Sequence, residues 1–148
     1  MAFARRAEGL DVSWLEEPVA PDDLTGYRQI ASASPIPIAG GEALAGLRAF
    51  RDFLEVGQPA VVEPDLSICG GFTEGMRIAV LPEMRGAGPA PYPWLEYDRS
   101  PNPLRELFGV PSLREDGTVE IPDGPGLGVT MTADLPAPVL VDGWALTA

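Results

Sequence analysis

The sequence predicts an α/β fold, in which parallel strands and crossover helices form part of a (β/α)8 TIM-type barrel. Short apolar segments that read as strands alternate with longer segments of helical periodicity, which is typical of parallel sheets. The ends of the first three predicted strands carry acidic residues, at Glu16, Glu42 and Asp65. These acids are 26 and 23 residues apart, which is the rhythm of one βα unit.

The predicted elements follow one another closely over the first 98 residues. Residues 2–8 are rich in helix formers, and Gly9 is a plausible C-cap. Asp22 and Asp23 are N-cap candidates for the second helix. The predicted order is a helix at 2–8, a strand at 12–18, a helix within 21–34, a strand at 35–41, a helix at 42–57, a strand at 59–65, a helix at 70–84 and a strand at 93–98.

Apolar stripes on the helices indicate which side chains form the core. The stripes repeat every three or four residues, so each helix has one face suited to packing against a sheet. We also expect the tryptophans at 14 and 94, and Phe53, to lie in the core or the barrel wall. The residues expected inside the three long helices are Leu24, Tyr27, Ile30 and Ala31, then Leu44, Leu47, Phe50 and Leu54, then Phe72, Met76, Ile78, Ala79 and Leu81.

The spacing of the strand-end acids indicates that one βα unit is missing from the predicted fold. The next strand-end acid, Glu96, comes 31 residues after Asp65, whereas one unit takes 23–26 residues here. The segment 82–92 has prolines and no β-branched run, so it does not supply a strand. After residue 98 the alternation stops. We therefore predict a partial barrel at 1–110 and a tail at 111–148, with two short extended pieces around a Pro/Gly turn near the start of the tail.

Charge and composition exclude several classes of partner. The net charge of −12 disfavours nucleic acid and anionic membrane surfaces, since both require a basic protein surface. No apolar run approaches the ~20 residues of a membrane span, and the N-terminus lacks the apolar core of a signal peptide. With Cys69 as the single cysteine, no disulfide or zinc cluster is expected. These observations predict a cytoplasmic protein.

The basic residues limit the available proton chemistry. The chain has no histidine, and all ten of its basic residues are arginines. Arginine stays protonated, whereas histidine and buried lysine can act as bases near neutral pH. Proton transfer would therefore depend on aspartate, glutamate, tyrosine or Cys69.

Five blocks of sequence carry a family resemblance. They are WLEEPVAPDDLTGY, PIPIAGGE, VVEPDLSICGGFTEGMRIA, WLEYDRSPNPLREL and IPDGPGLGV. In this order they resemble the C-terminal barrel region of the mandelate racemase/muconate lactonizing enzyme group of the enolase superfamily. The fourth block is similar to the acid-sugar dehydratases and sugar-lactone cycloisomerases of that group. The resemblance implies a lyase or isomerase that abstracts the proton α to the carboxylate of a small acid-sugar substrate, with Mg²⁺ as cofactor.

The resemblance assigns a role to each strand-end acid. Glu16 matches the second Mg²⁺ ligand of the family, and Glu42 matches the third. Asp65 matches the aspartate of an Asp–His catalytic dyad, and Glu96 matches the acid that bonds the substrate at the last barrel strand. From the residues alone, Glu16, Glu42 and Glu96 are equally readable as solvated acids, and Asp65 as a turn aspartate that caps the next helix.

Several family features have no counterpart in this sequence. The first metal ligand, the lysine pair and the N-terminal capping domain would precede residue 1, and the dyad histidine would lie in the missing unit. We therefore expect a truncated, internally deleted chain that lacks about half the barrel and is inactive alone. Open sheet edges would then favour homo-oligomers. The alternative is a non-catalytic acidic module that binds metal or a partner protein.

Overall fold

The computed structural model describes residues 2–84, 94–101 and 111–128. It divides the chain into two compact units, Met1–Pro93 and Trp94–Ala148. The predicted boundary at residue 110 lies outside the described residues, as does most of the segment 82–92, where a βα unit is expected to be missing.

The first unit alternates helices and strands as predicted. The helices are α1 (Ala2–Ala7), α2 (Leu24–Ala33), α3 (Gly46–Asp52), α4 (Gly71–Ala79) and α5 (Leu81–Met84). A 3-10 turn at Glu8–Leu10 follows α1, and a π-helical turn at Phe53–Gly57 follows α3. The strands are β1 (Leu15–Glu16), β2 (Ile38–Gly40) and β3 (Val61–Val62). Each strand is shorter than the sequence predicts.

The three strands form a parallel sheet in the order β1-β2-β3, which confirms the predicted crossover topology. Leu15 is aligned with Ile38, and Glu16 with Ala39. Ala39 is in turn aligned with Val61 in β3. Because successive side chains of a strand point to opposite faces, Leu15 and Ile38 share one face while Glu16 and Ala39 share the other.

Helix α2 begins where the sequence predicts. The Asp23 carboxylate accepts a hydrogen bond of 2.8 Å from the Gly26 backbone N–H, which satisfies one of the free donors at the helix N-terminus. Three buried side chains, Tyr27, Ile38 and Phe53, then join α2 to the sheet and the π-helical turn. The Tyr27 and Phe53 rings meet edge to face, with centroids 4.8 Å apart.

A second buried cluster joins α3 to α4. It consists of Phe50, Cys69 and Ile78, and the partly buried side chains of Leu44, Leu47, Val62 and Leu81 pack against it. Cys69 is fully buried. In this environment it acts as a small apolar side chain.

Helix α3 starts later than the predicted residue 42. Gly41 has a φ of 120° and Gly46 a φ of 77°, both in the left-handed region that favours glycine, so the chain turns before the helix begins. Ala45, the residue before the helix, has no side chain that could cap it. Instead, the Glu74 carboxylate on α4 accepts a 2.9 Å hydrogen bond from the Leu47 N–H. The helix is therefore capped from a residue 27 positions away.

We expect Glu74→Ala to lower the free energy of unfolding by about 1 kcal/mol, because it removes this cap. Arg77→Ala is the matched control, since it removes only the 3.3 Å ion pair that Arg77, 64% exposed, makes with Glu74. Exposed pairs of this kind contribute about 0–1 kcal/mol. Urea denaturation of both variants measures the difference. Equal effects of the two substitutions would contradict the capping role.

The structure corrects part of the predicted core. Phe72 and Met76 are 63% and 70% exposed, and Ala79 is also exposed, because α4 is rotated so that Gly75 and Ile78 face inward. The four-residue spacing of Phe72, Met76 and Val80 marks an apolar face of α4, but one that is directed away from the core.

The second unit has little regular structure in its described part. The predicted strand at 93–98 was wrong, since residues 94–101 contain no strand, and Trp94 is 74% exposed. The Tyr97 hydroxyl donates to the Pro111 carbonyl at 3.0 Å. Val119, in the first of the predicted extended pieces, pairs with Leu113 in an isolated antiparallel bridge, and part of the second piece lies outside the described residues.

Candidate metal centre

The predicted acids follow the strands of the sheet. Glu16 is the last residue of β1, and Glu42 comes two residues after the end of β2. Glu63 comes directly after β3, and Asp65 two residues later. Because the strands are parallel, their carboxyl ends lie at the same edge of the sheet. This edge is where barrels of βα units place their functional groups.

Glu16 and Glu42 are both exposed, so their carboxylates are accessible to ions. Glu16 is aligned with Ala39 and therefore lies on the sheet face opposite the one that packs on α2. Carboxylate oxygens are the ligands that Mg²⁺ takes from proteins, usually one or two of them with water and substrate oxygens completing the octahedron. The donor chemistry of these two residues therefore fits Mg²⁺.

The assignment of Glu16 and Glu42 as metal ligands, and of Asp65 as a catalytic aspartate, stays a prediction. Within residues 2–84, 94–101 and 111–128, no group of three acidic, cysteine or histidine side chains is arranged to hold a metal ion.

Asp65 accepts hydrogen bonds from its own loop. Its side chain accepts a 2.7 Å hydrogen bond from the Ser67 N–H, and its carbonyl accepts bonds from the Ile68 and Cys69 N–H groups. The bonds from Ser67 stabilise the ionised carboxylate and hold the pKa of Asp65 below its usual value. A carboxylate of this kind is a turn-forming group and a weak base near neutral pH.

Glu96 lies in the second unit. It is exposed and belongs to a segment without regular secondary structure, 94–101. Its assignment to the substrate-binding role stays a prediction.

Sequence reasoning missed a polar group on the helix-facing side of the same edge. Glu17 has a φ of 41°, a conformation uncommon outside glycine, and its Oε1 atom is buried. Tyr27, expected only as a core residue, is fully buried and carries its hydroxyl into this region. Burial, then the negative charges of Glu17, Glu63 and Glu16, raise the pKa of Tyr27 to about 12. The pair of adjacent glutamates in WLEEP was the sequence feature that could have indicated this buried polar group.

No helix in the described part of the chain is both long enough and apolar enough to cross a bilayer.

Comparisons with known proteins agree with this architecture. A family model described as enolase C-terminal domain-like matches residues 1–94. D-galactarolactone cycloisomerase from Agrobacterium fabrum is 33% identical, over 87% of this chain and 42% of the relative. The crystal structure of 3,6-anhydro-D-galactonate cycloisomerase from Zobellia galactanivorans superimposes with a TM-score of 0.75 at 32% identity, over 86% of this chain and 42% of that one.

A third relative is a structure that contains metal and a sugar acid. L-talarate dehydratase from Polaromonas sp. JS666, complexed with Mg and L-glucarate, is 28% identical with a TM-score of 0.75, over 88% of this chain and 40% of that one. The chain thus spans about two fifths of the length of the relatives that it matches.

Fold and site together define an α/β protein of successive βα units, with carboxylates at the carboxyl ends of its parallel strands. The chain belongs to the enolase superfamily, within the mandelate racemase/muconate lactonizing enzyme group. The resemblance found in the sequence blocks is confirmed. Related structures of this superfamily contain bound Mg²⁺.

Proposed function

We propose that this chain is a partial barrel of an acid-sugar dehydratase or cycloisomerase that keeps Glu16 and Glu42 as Mg²⁺ ligands and is inactive alone. The observation that carries the proposal is the pair of exposed carboxylates at neighbouring parallel strand ends, on a chain whose relatives process sugar acids. When bound, Mg²⁺ would polarise the substrate carboxylate and stabilise negative charge that develops beside it.

The alignment with D-galactarolactone cycloisomerase supports an internal deletion. It extends over 159 positions, more than the 148 residues of this chain. The match covers 87% of the chain, or about 129 residues, so about 30 aligned positions have no residue here. That number is slightly more than one βα unit, which takes 23–26 residues in the first part of the chain. The missing unit between 82 and 92 would account for it.

The residues present explain why catalysis would be absent. Abstraction of a proton α to a carboxylate requires a base whose pKa lies near the working pH. The chain has no histidine or lysine. Asp65 has a lowered pKa, Tyr27 stays protonated to about pH 12, and Cys69 is buried. Glu16 and Glu42 would bind and orient the metal and are not free to take the proton.

Isothermal titration with Mg²⁺ tests the metal site directly. We expect weak binding to the wild type and a loss of at least about tenfold in affinity for Glu42→Gln, because substitutions around metal ligands typically cost 10–100-fold. Glu8→Gln, which neutralises an exposed acid on the 3-10 turn, is the charge-matched control and should leave the heat unchanged. Equal heats for all three proteins would remove Glu42 from the site.

An activity assay tests the second half of the proposal. We expect no turnover of L-talarate by the purified chain in millimolar Mg²⁺, with the Polaromonas L-talarate dehydratase as the positive control in the same assay. The missing bases are the reason. Dehydration that requires Mg²⁺ and disappears in Glu42→Gln would show that this chain catalyses the reaction without them.

A further inference from the structure

The Tyr27 hydroxyl is buried at the carboxyl end of β2. The residue is 0% exposed, and its oxygen has no hydrogen-bonding partner among the described residues. A methyl group placed on Gly40 would lie 2.6 Å from this oxygen, so the hydroxyl touches the last residue of β2. A phenol that is buried without a partner loses its hydrogen bonds to water and gains none in return.

The Glu17 carboxylate approaches the same place from β1. The Glu17 N–H donates to the Ala39 carbonyl at 3.1 Å, which puts its backbone beside the residue that precedes Gly40. Its Oε1 atom is buried and has no partner in the described part of the chain. Glu17 is also the strongest charged neighbour of the Tyr27 hydroxyl, ahead of Glu63 and Glu16.

These two atoms have complementary chemistry without bonding each other directly. The phenol carries a proton to donate, and the carboxylate oxygen requires a donor. A water molecule between them would accept from Tyr27 and donate to Glu17, and buried waters in proteins typically make two to four such bonds. We propose that Tyr27 and Glu17 form a buried binding site for a single ordered water molecule at the carboxyl end of β1 and β2.

The bridged water would anchor the backbone around Glu17. A non-glycine residue at a φ of 41° persists only where surrounding contacts hold it. The preceding residue is Glu16, so the link would also set where the Glu16 carboxylate is presented. The water site rests on Tyr27, Gly40 and Glu17 and stands whether or not Glu16 binds a metal.

The effect of Tyr27→Phe on stability distinguishes a hydroxyl that is bonded to a bridging water from one that has no partner. Tyr27→Phe keeps the ring packed on Phe53 and removes only the oxygen. With a bridging water, the substitution lowers the folding equilibrium constant about fivefold, the factor that corresponds to the loss of one net hydrogen bond. An unchanged or increased folding constant overturns the proposal, because deleting an unpartnered buried hydroxyl is neutral or favourable.

A second pair of variants locates the other end of the bridge. In a Glu17→Ala background, where the water has lost its acceptor, Tyr27→Phe should cost clearly less than in the wild type. In a Glu16→Ala background, which removes an equal charge from the adjacent residue, its cost should be unchanged. All measurements are made in EDTA, so that metal binding does not contribute. Identical costs in the two backgrounds overturn the link to Glu17.

A crystal structure at high resolution identifies the occupant. We expect one density peak within hydrogen-bonding distance of both Tyr27 Oη and Glu17 Oε1, with bond lengths typical of water. A folding constant that rises with potassium but not with choline at equal ionic strength would indicate a cation there and overturn the water assignment. An empty space between the two oxygens would overturn it as well.

Discussion

Replacing Phe50 with alanine is expected to lower the free energy of unfolding by about 3–5 kcal/mol. The ring is 0% exposed and packs with Cys69 and Ile78 between α3 and α4. It also lies beside the residue that follows β2, since a methyl group on Gly41 would be 3.1 Å from its edge. A small domain has about 5–15 kcal/mol of stability in total, so the variant should lose a large share of it.

Phe72→Ala is the matched control for this prediction. It deletes the same side chain from a helix of the same unit, but Phe72 is 63% exposed, so the expected change is within about 0.5 kcal/mol. Urea denaturation followed by circular dichroism compares the two variants. A large loss for Phe72→Ala with a small loss for Phe50→Ala would mean that α4 packs with the opposite face inward.

Gly40→Ala is expected to destabilise the protein by about 1–3 kcal/mol, the usual cost of overpacking a core. The added methyl group would meet the buried Tyr27 hydroxyl at 2.6 Å. Neither group can move easily, because Gly40 is held in the central strand and the Tyr27 ring is packed against Phe53. Thermal unfolding of the purified variant measures the loss.

Two further variants make this prediction specific. Tyr27→Phe should recover part of the loss in the Gly40→Ala background, since it removes the closest atom and leaves ring carbon contacts from 3.2 Å. Gly9→Ala is the control for glycine replacement itself, because nothing lies within 4 Å of its added methyl group. If Gly9→Ala costs as much as Gly40→Ala, the steric explanation is wrong.

Local chemistry made much of the first unit predictable. The Asp23 cap and the inward face of α2 both follow from residue type and spacing over a few positions. The family blocks were equally readable, because they combine strand, turn and acid in a fixed order. The same blocks correctly indicated that Glu16 and Glu42 follow parallel strands.

Prediction was weakest where an element depends on what packs against it. The segment 93–98 is apolar enough to be a strand, but a strand also requires a neighbour to bond with, and residues 94–101 form none. The start of α3 is capped by the Glu74 carboxylate, which is 27 residues from the donor, the Leu47 N–H. The sequence around the start of the helix does not indicate a capping residue so far along the chain.

By itself, the sequence determined the alternation of strands and helices, the family and the edge of the sheet where the acids collect. Periodicity, capping chemistry and strand direction are local properties, so they can be predicted from the sequence. Only the tertiary structure decided that the Glu17 Oε1 atom is buried while Asp65 bonds its own loop, and that Phe50 is buried while Phe72 is exposed. These outcomes depend on helix rotation and on the backbone angle at single residues, which arise from contacts between distant parts of the chain.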